Sequence, residues 1–164
     1  MPRHISPHDV IAESIPSDPD RWVLLSVANP ARAGGLAAVA AGLASSRQVG
    51  VLVVTVQRPT AGSAAQSGGD PSAWPAAAIA REVVRQRGVP VGWLVCASAD
   101  VGRTVRRIAA EVRASLIVIG WRGGARPEGE VLNATLKDVL QDPVADVVVV
   151  GGRVPSKRSR VLVP

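Results

Sequence analysis

The chain has 164 residues, 47% of them hydrophobic and 20% charged, with a mean hydropathy of +0.22; this fits one domain with a sizeable core and excludes disorder throughout. The 19 lysines and arginines outnumber the 13 carboxylates, giving a formal charge of +6 and an isoelectric point near 11.2. No apolar run approaches the ~20 residues that span a bilayer, and the single cysteine, Cys96, excludes an internal disulfide and a paired-cysteine zinc site.

Residues 1–20 are rich in Pro, Asp, Ser and His and lack periodicity, so they read as a flexible leader without the apolar stretch of a secretory signal. Arg21–Val27 is a short, β-branched apolar run and reads as a buried strand. Asn29 caps a helix with Pro30 in its first turn, and Leu36, Val39, Ala40 and Leu43 form its apolar stripe as far as Ser45. Val49–Val56 is apolar almost without interruption, as in a parallel strand covered on both faces. A polar loop from Gln57 to about Ser72 precedes a helix over Trp74–Gln86, which Gly88 stops.

Pro90–Cys96 is the third strand, and Asp100 caps a helix reaching about Arg113. Val101, Val105, Ile108, Ala109 and Val112 share one face of that helix, while Arg103, Arg106, Arg107 and Glu111 fall outside it and read as a solvated surface. Ser115–Ile119 is the fourth strand, followed by a loop with four glycines and a proline, then a helix over about Val131–Leu140. Val147–Val150 is the fifth strand, and residues 153–164 read as a basic linker with the possible opening of a further strand at Arg160–Val163. Strands alternating with helices of this length predict an α/β domain over 21–152, with a doubly wound five-stranded parallel sheet and helices on both faces. In such sheets ligands bind beyond the carboxyl ends of the strands. The places to search are Ala28-Asn29-Pro30, the loop after Val56, and the loop after Ile119.

That last loop, Gly120-Trp121-Arg122-Gly123-Gly124-Ala125-Arg126, has a composition suited to an anion: glycine backbone turns N–H groups toward phosphate, and arginine forks pair with its oxygens. Catalytic chemistry is harder to find. His4 and His8 are both in the leader, where Pro2 and Pro7 oppose a metal-binding helix, so no metal site is expected. No Gly-x-Ser-x-Gly elbow exists, and Cys96 has no histidine near it in sequence. Tyr and Phe are absent, which leaves four tryptophans as the whole stock of aromatic platforms for nucleic acid; net charge alone does not support that partner.

The strand and helix order, Gly120-Trp121-Arg122-Gly123, and the ending Leu132–Leu140 followed by Asp146–Val150 resemble the universal stress protein family over about residues 21–152. The resemblance implies a nucleotide-hydrolase-like α/β fold without catalysis beyond weak nucleotide hydrolysis. It also implies a cytoplasmic location and a homodimer paired through the last strand, Val147–Val150. In nucleotide-binding members a Gly-x-x-Gly pair is followed by Gly and then Ser or Thr, which contact the phosphates. Here Gly120 and Gly123 are kept, but the family spacing lands on Asn133 and Ala134, and Thr135 is turned about 100° along the helix from the position of the lost hydroxyl. Those members also carry an Asp after the first strand, near the adenosine; the matching residue is Ala28, followed by Asn29. The candidate ligand residues carried over are therefore Ala28, Asn29, Gly120, Arg122, Gly123, Asn133, Ala134 and Thr135.

Val27-Ala28-Asn29-Pro30, Ile119–Gly123 and Leu136–Pro143 are similar in spelling to universal-stress-type domains at the cytoplasmic side of amino-acid permeases and cation-coupled transporters. This resemblance implies a regulatory or assembly module, with a membrane transporter in cis and no resident cofactor. The competing expectation is an ATP-binding stress protein that holds nucleotide between Asn29, Gly120, Gly123 and the helix near Val131. Ala28, Asn133 and Ala134 favour the first.

Overall fold

A computed structural model describes residues 10–59, 71–121 and 134–151. Six strands form one sheet: β1 (Val10–Ser14), β2 (Trp22–Ser26), β3 (Gly50–Gln57), β4 (Val91–Ala97), β5 (Ala114–Trp121) and β6 (Asp146–Gly151). Their order across the sheet is β1-β4-β3-β2-β5-β6. Five of them run parallel, in the alternation with helices that the sequence predicts. The expectation of five strands is corrected to six, because Val10–Ser14, inside the expected flexible leader, pairs antiparallel with β4. Ala12 faces Val95 and Ser14 faces Trp93, with a register shift between Val10 and Ala12. A five-residue strand has no local stability; this one exists because the edge of β4 supplies its hydrogen bonds.

Helices α1 (Pro30–Arg47) and α2 (Pro75–Gln86) cover one face, and α3 (Val101–Glu111) and α4 (Ala134–Gln141) the other. The alternation along β2 divides its side chains between the two cores: Val23 and Leu25 meet α1 and α2, whereas Trp22 and Leu24 belong with α3 and α4. Burial on both faces is why β2 and β3 read as unbroken apolar runs. Ala33, Ala37, Ala40, Ala41 and Ala44 give α1 a flat inner face. Trp22, Trp74 and Trp93 are core residues at 2%, 5% and 2% exposure, so none of them presents a stacking platform to solvent.

Two local devices bring the ends of these elements together. Val27 follows β2, and its N–H donates to the Val54 carbonyl at 3.0 Å while its own carbonyl accepts from the buried Thr55 hydroxyl at 2.9 Å. Residues 28 and 29 thus leave β2 from a clamped position on β3. On the other face, a Cβ at position 102 would lie 2.5 Å from the Cβ of Asp138 and 3.1 Å from the Thr135 carbonyl oxygen, so Gly102 lets α3 and α4 approach closely near their N-terminal ends. Arg106 reinforces that pair through the Asp142 carboxylate and the Asp138 carbonyl, and Arg107 pairs with Glu111 at 3.2 Å. Both arginine side chains are 29% exposed, so this part of the cluster expected as solvated surface is partly buried, and Arg106 ties α3 to α4 while Arg107 pairs within α3.

Thr55→Val keeps the shape but leaves the Val27 carbonyl without its side-chain donor; chemical denaturation should show a loss of about 1–3 kcal/mol. Gly102→Val should cost about 1–3 kcal/mol or more by overpacking the α3–α4 contact, read as a lowered thermal midpoint with little change in far-UV circular dichroism.

Candidate functional site

A cleft of about 380 Å³ opens beyond the carboxyl ends of β3, β2 and β5. This is the position expected for a ligand in a doubly wound sheet, and the volume falls in the range of small-molecule sites. Its apolar lining comes from Val27, Leu36, Val56 and Ile119, all 9% exposed or less. Ser26, Ala28, Asn29, Gly120 and Thr135 add small and polar groups, the partly buried Val101 adds a further apolar one, and Arg32 and Arg58 add two positive charges. No carboxylate lines the cleft among the described residues. The acid beside its rim, Asp100, is committed to the N-terminus of α3: it accepts from the Arg103 N–H at 2.9 Å and pairs with Arg103 Nε at 3.6 Å.

The start of α1 forms part of the wall and supplies few donors. Pro30 has no N–H. The Ala31 N–H is taken by Asn29 Oδ1 at 2.9 Å, and the Arg32 and Ala33 N–H groups both reach the Asn29 carbonyl at 3.1 Å. Asn29 therefore acts here as a helix cap, and the backbone donors that often hold phosphate at a helix N-terminus are already occupied. Gly120 has a steric role: a Cβ there would lie 2.8 Å from Leu36 Cδ1, so its bareness admits the leucine that packs against the end of β5.

Of the residues expected from sequence, Ala28, Asn29, Gly120 and Thr135 come together around the cleft, although they are scattered over more than a hundred positions in the chain. Ala134 is exposed at the first position of α4 and does not line the cleft, whereas Thr135, one step along the helix, does. The expected residues Arg122, Gly123 and Asn133 lie outside the described residues, as do His4 and His8. Sequence reasoning missed Ser26, Arg32, Leu36, Val56, Arg58 and Val101. The signal for Arg58 was present, since it is the first cation after a strand whose following loop was already marked for search. Arg32 carried no comparable signal; it sits in the first turn of a helix and reaches the cleft only through the packing of α1 on the sheet.

Among the described residues no group of three His, Cys, Asp or Glu side chains is arranged to hold a metal ion. Among the described residues the one strongly shifted carboxyl, Glu82, is lowered to about 2 by hydrogen bonds from Arg85 and Gln86; all three lie on the exposed surface of α2 and do not line the cleft. No helix among the described residues is long and apolar enough to cross a membrane.

Comparison with known structures gives the same architecture. A universal stress protein from Archaeoglobus fulgidus superposes with a TM-score of 0.62 at 21% identity, covering 79% of this chain and 92% of that one. A universal stress protein solved in complex with cAMP superposes with a TM-score of 0.62 at 19% identity, covering 80% and 96%. A universal stress family protein from Burkholderia pseudomallei gives 0.58 at 20% identity, covering 82% and 98%. Comparison with curated proteins returns no match. The model of the universal stress protein family matches residues 22–151, from the first residue of β2 to the last of β6. The chain belongs to the universal stress protein family.

Proposed function

We propose that this domain is a non-catalytic regulatory or assembly module whose cleft has lost most of its affinity for adenine nucleotides. The observation that carries this reading is Ala28 on the cleft wall, with no carboxylate among the described lining residues. Nucleotide-binding members of the family carry an Asp at the matching position. The occupied N–H groups of α1 add to it, since they leave no ready-made anion cradle on that side.

The second reading is a nucleotide-binding stress protein. It draws on the cleft itself and on relatives solved with dAMP, from Archaeoglobus fulgidus, and with cAMP. Equilibrium dialysis with labelled ATP separates the two. A missing charge-assisted hydrogen bond of about 1.5–3 kcal/mol weakens binding by roughly ten- to hundredfold. We expect no saturation at micromolar ATP, and a gain of tenfold or more in Ala28→Asp. Micromolar saturation by the unaltered chain, abolished by Gly123→Val, overturns the first reading.

The assembly half of the proposal is a homodimer through Val147–Val150. Among the described residues β6 has a neighbour on one side only, and Val149 is 39% exposed. A valine strand with an open edge favours pairing with another chain. Sedimentation velocity should show a dimer, and Val149→Lys should shift it toward monomer while leaving the fold intact. The host we propose is a membrane transporter, with the domain at its cytoplasmic face. That step draws only on the similar spelling of residues 27–30, 119–123 and 136–143. A natural coding sequence that continues past Pro164 into membrane spans or a second such domain supports it, and a stop codon there counts against it.

A further inference from the structure

Residues 10–21 precede the stretch that the family model matches, 22–151, and yet they open with a strand docked along the outer side of β4. The docking is a clip over the edge of the sheet. Val10 and Ile15 pack against the α3–α4 core, whereas Ile11 and Ala12 pack against the α1–α2 core. The register shift between Val10 and Ala12 breaks the alternation that would otherwise send Ile11 and Ala12 to opposite faces. β4 is shaped to receive this segment: a Cβ at position 92 would lie 3.3 Å from both Ile15 Cα and Pro16 Cδ, so bare backbone there admits the crossing chain.

The clip is shallow. Ala12, at 7% exposure, is the one described residue before Trp22 that is buried, and Glu13 and Ser14 are exposed. Every other buried residue of the two cores comes from Trp22 onward, so both cores keep those members when the segment leaves. A strand held by so little apolar area opens at a lower free energy than the whole domain. Its departure bares the edge of the seven-residue β4, and Cys96, at 0% exposure and paired with Val10, loses that neighbour.

We propose that β4 carries a strand-addition site, that residues 10–16 are its tethered occupant, and that the site takes the same segment of a second copy when its own is displaced. Recognition is antiparallel: ladder hydrogen bonds give affinity, and the places of Val10, Ala12 and Ile15 on the two faces give selectivity. A second copy carries the one sequence already fitted to this edge, and exchange of an identical element between protomers is a low-cost contact. The tether sets the resting state, since an intramolecular segment acts at a millimolar effective concentration. This edge lies at the opposite side of the sheet from β6, so the exchange does not compete with pairing through the valine strand.

The test uses Cys96, the chain's single cysteine, as reporter in the full chain. Iodoacetamide labelling of the unaltered chain in sub-denaturing urea, read by mass spectrometry, should depend on urea at least twofold less steeply than global unfolding does. Ala12→Arg puts a long cation where a methyl group fits; it should speed labelling at least tenfold while a cooperative thermal transition persists. A fluorescent peptide of residues 10–17, standing for the segment of a second copy, should bind this variant saturably and slow its labelling again. The same peptide should not bind the unaltered chain, and a peptide with the Ala12→Arg change should bind neither. Labelling that follows global unfolding alone, a variant labelled no faster than the parent, or a variant without a cooperative transition overturns the displaceable strand. A variant that opens but binds no peptide overturns the strand-addition site.

Discussion

Burial of β2 on both faces is the constraint on which the rest of the structure depends. Trp22, Val23, Leu24 and Leu25 are each 2% exposed or less, and they belong alternately to the two helical layers. A strand enclosed in this way has backbone groups that only neighbouring strands can satisfy, so β3 and β5 lie parallel on its two sides. Just past β2 the burial ends after Val27, and the exposed Ala28 and half-buried Asn29 turn the chain out of the sheet. The Thr55 hydroxyl and the Val54 carbonyl hold Val27 at that point, and Asn29 starts α1 immediately after. The cleft is the space left where three parallel strands stop together and the helices that follow them lean away.

The chemistry of the cleft follows from what its walls have already used. Asn29 caps α1, Asp100 caps α3, and the absence of a side chain at Gly120 accommodates Leu36. Several residues that resemble ligand contacts by position are therefore engaged in holding the scaffold. The rest of the described lining is an apolar floor with the side chains of Ser26, Thr135, Arg32 and Arg58, and the Arg32 guanidinium itself reaches the Val150 carbonyl. That set can bind and orient an anion. Among the described residues the lining holds no carboxylate and no histidine.

The opposite edges of the sheet differ in a way that bears on assembly. On the β4 side, β1 runs antiparallel and occupies the edge of the parallel core, with Ala12 entering the core of the α1–α2 face. On the β6 side the valines are half-buried at most, and Val148 and Val150 pack against one core while Val147 packs against the other. Among the described residues, one edge of the parallel core is thus covered by β1 while the valine strand stands at the other edge.

The alternation of apolar strands and amphipathic helices was legible in the sequence because each parallel strand is buried on both faces and each helix on one. Those burial patterns have different periods, and Val49–Val56 and Val101–Val112 display them without ambiguity. The helix starts at Asn29-Pro30 and Asp100 were legible for the same local reason, since capping is decided by a side chain and the N–H groups just beyond it. β1 was not legible, because five residues in a Pro- and Asp-rich stretch carry no strand signal until the edge of β4 is beside them. Nor was the part of Arg32 and Arg58 in one cleft, because it depends on how α1 and β3 sit on a common sheet. Sequence by itself thus determined every described element but the edge strand β1 and the short turn at residues 71–73, with the fold class and the strand ends where a ligand belongs. Tertiary structure decided which charges meet there, since local patterns report whether a residue is buried and not which distant residue stands opposite it.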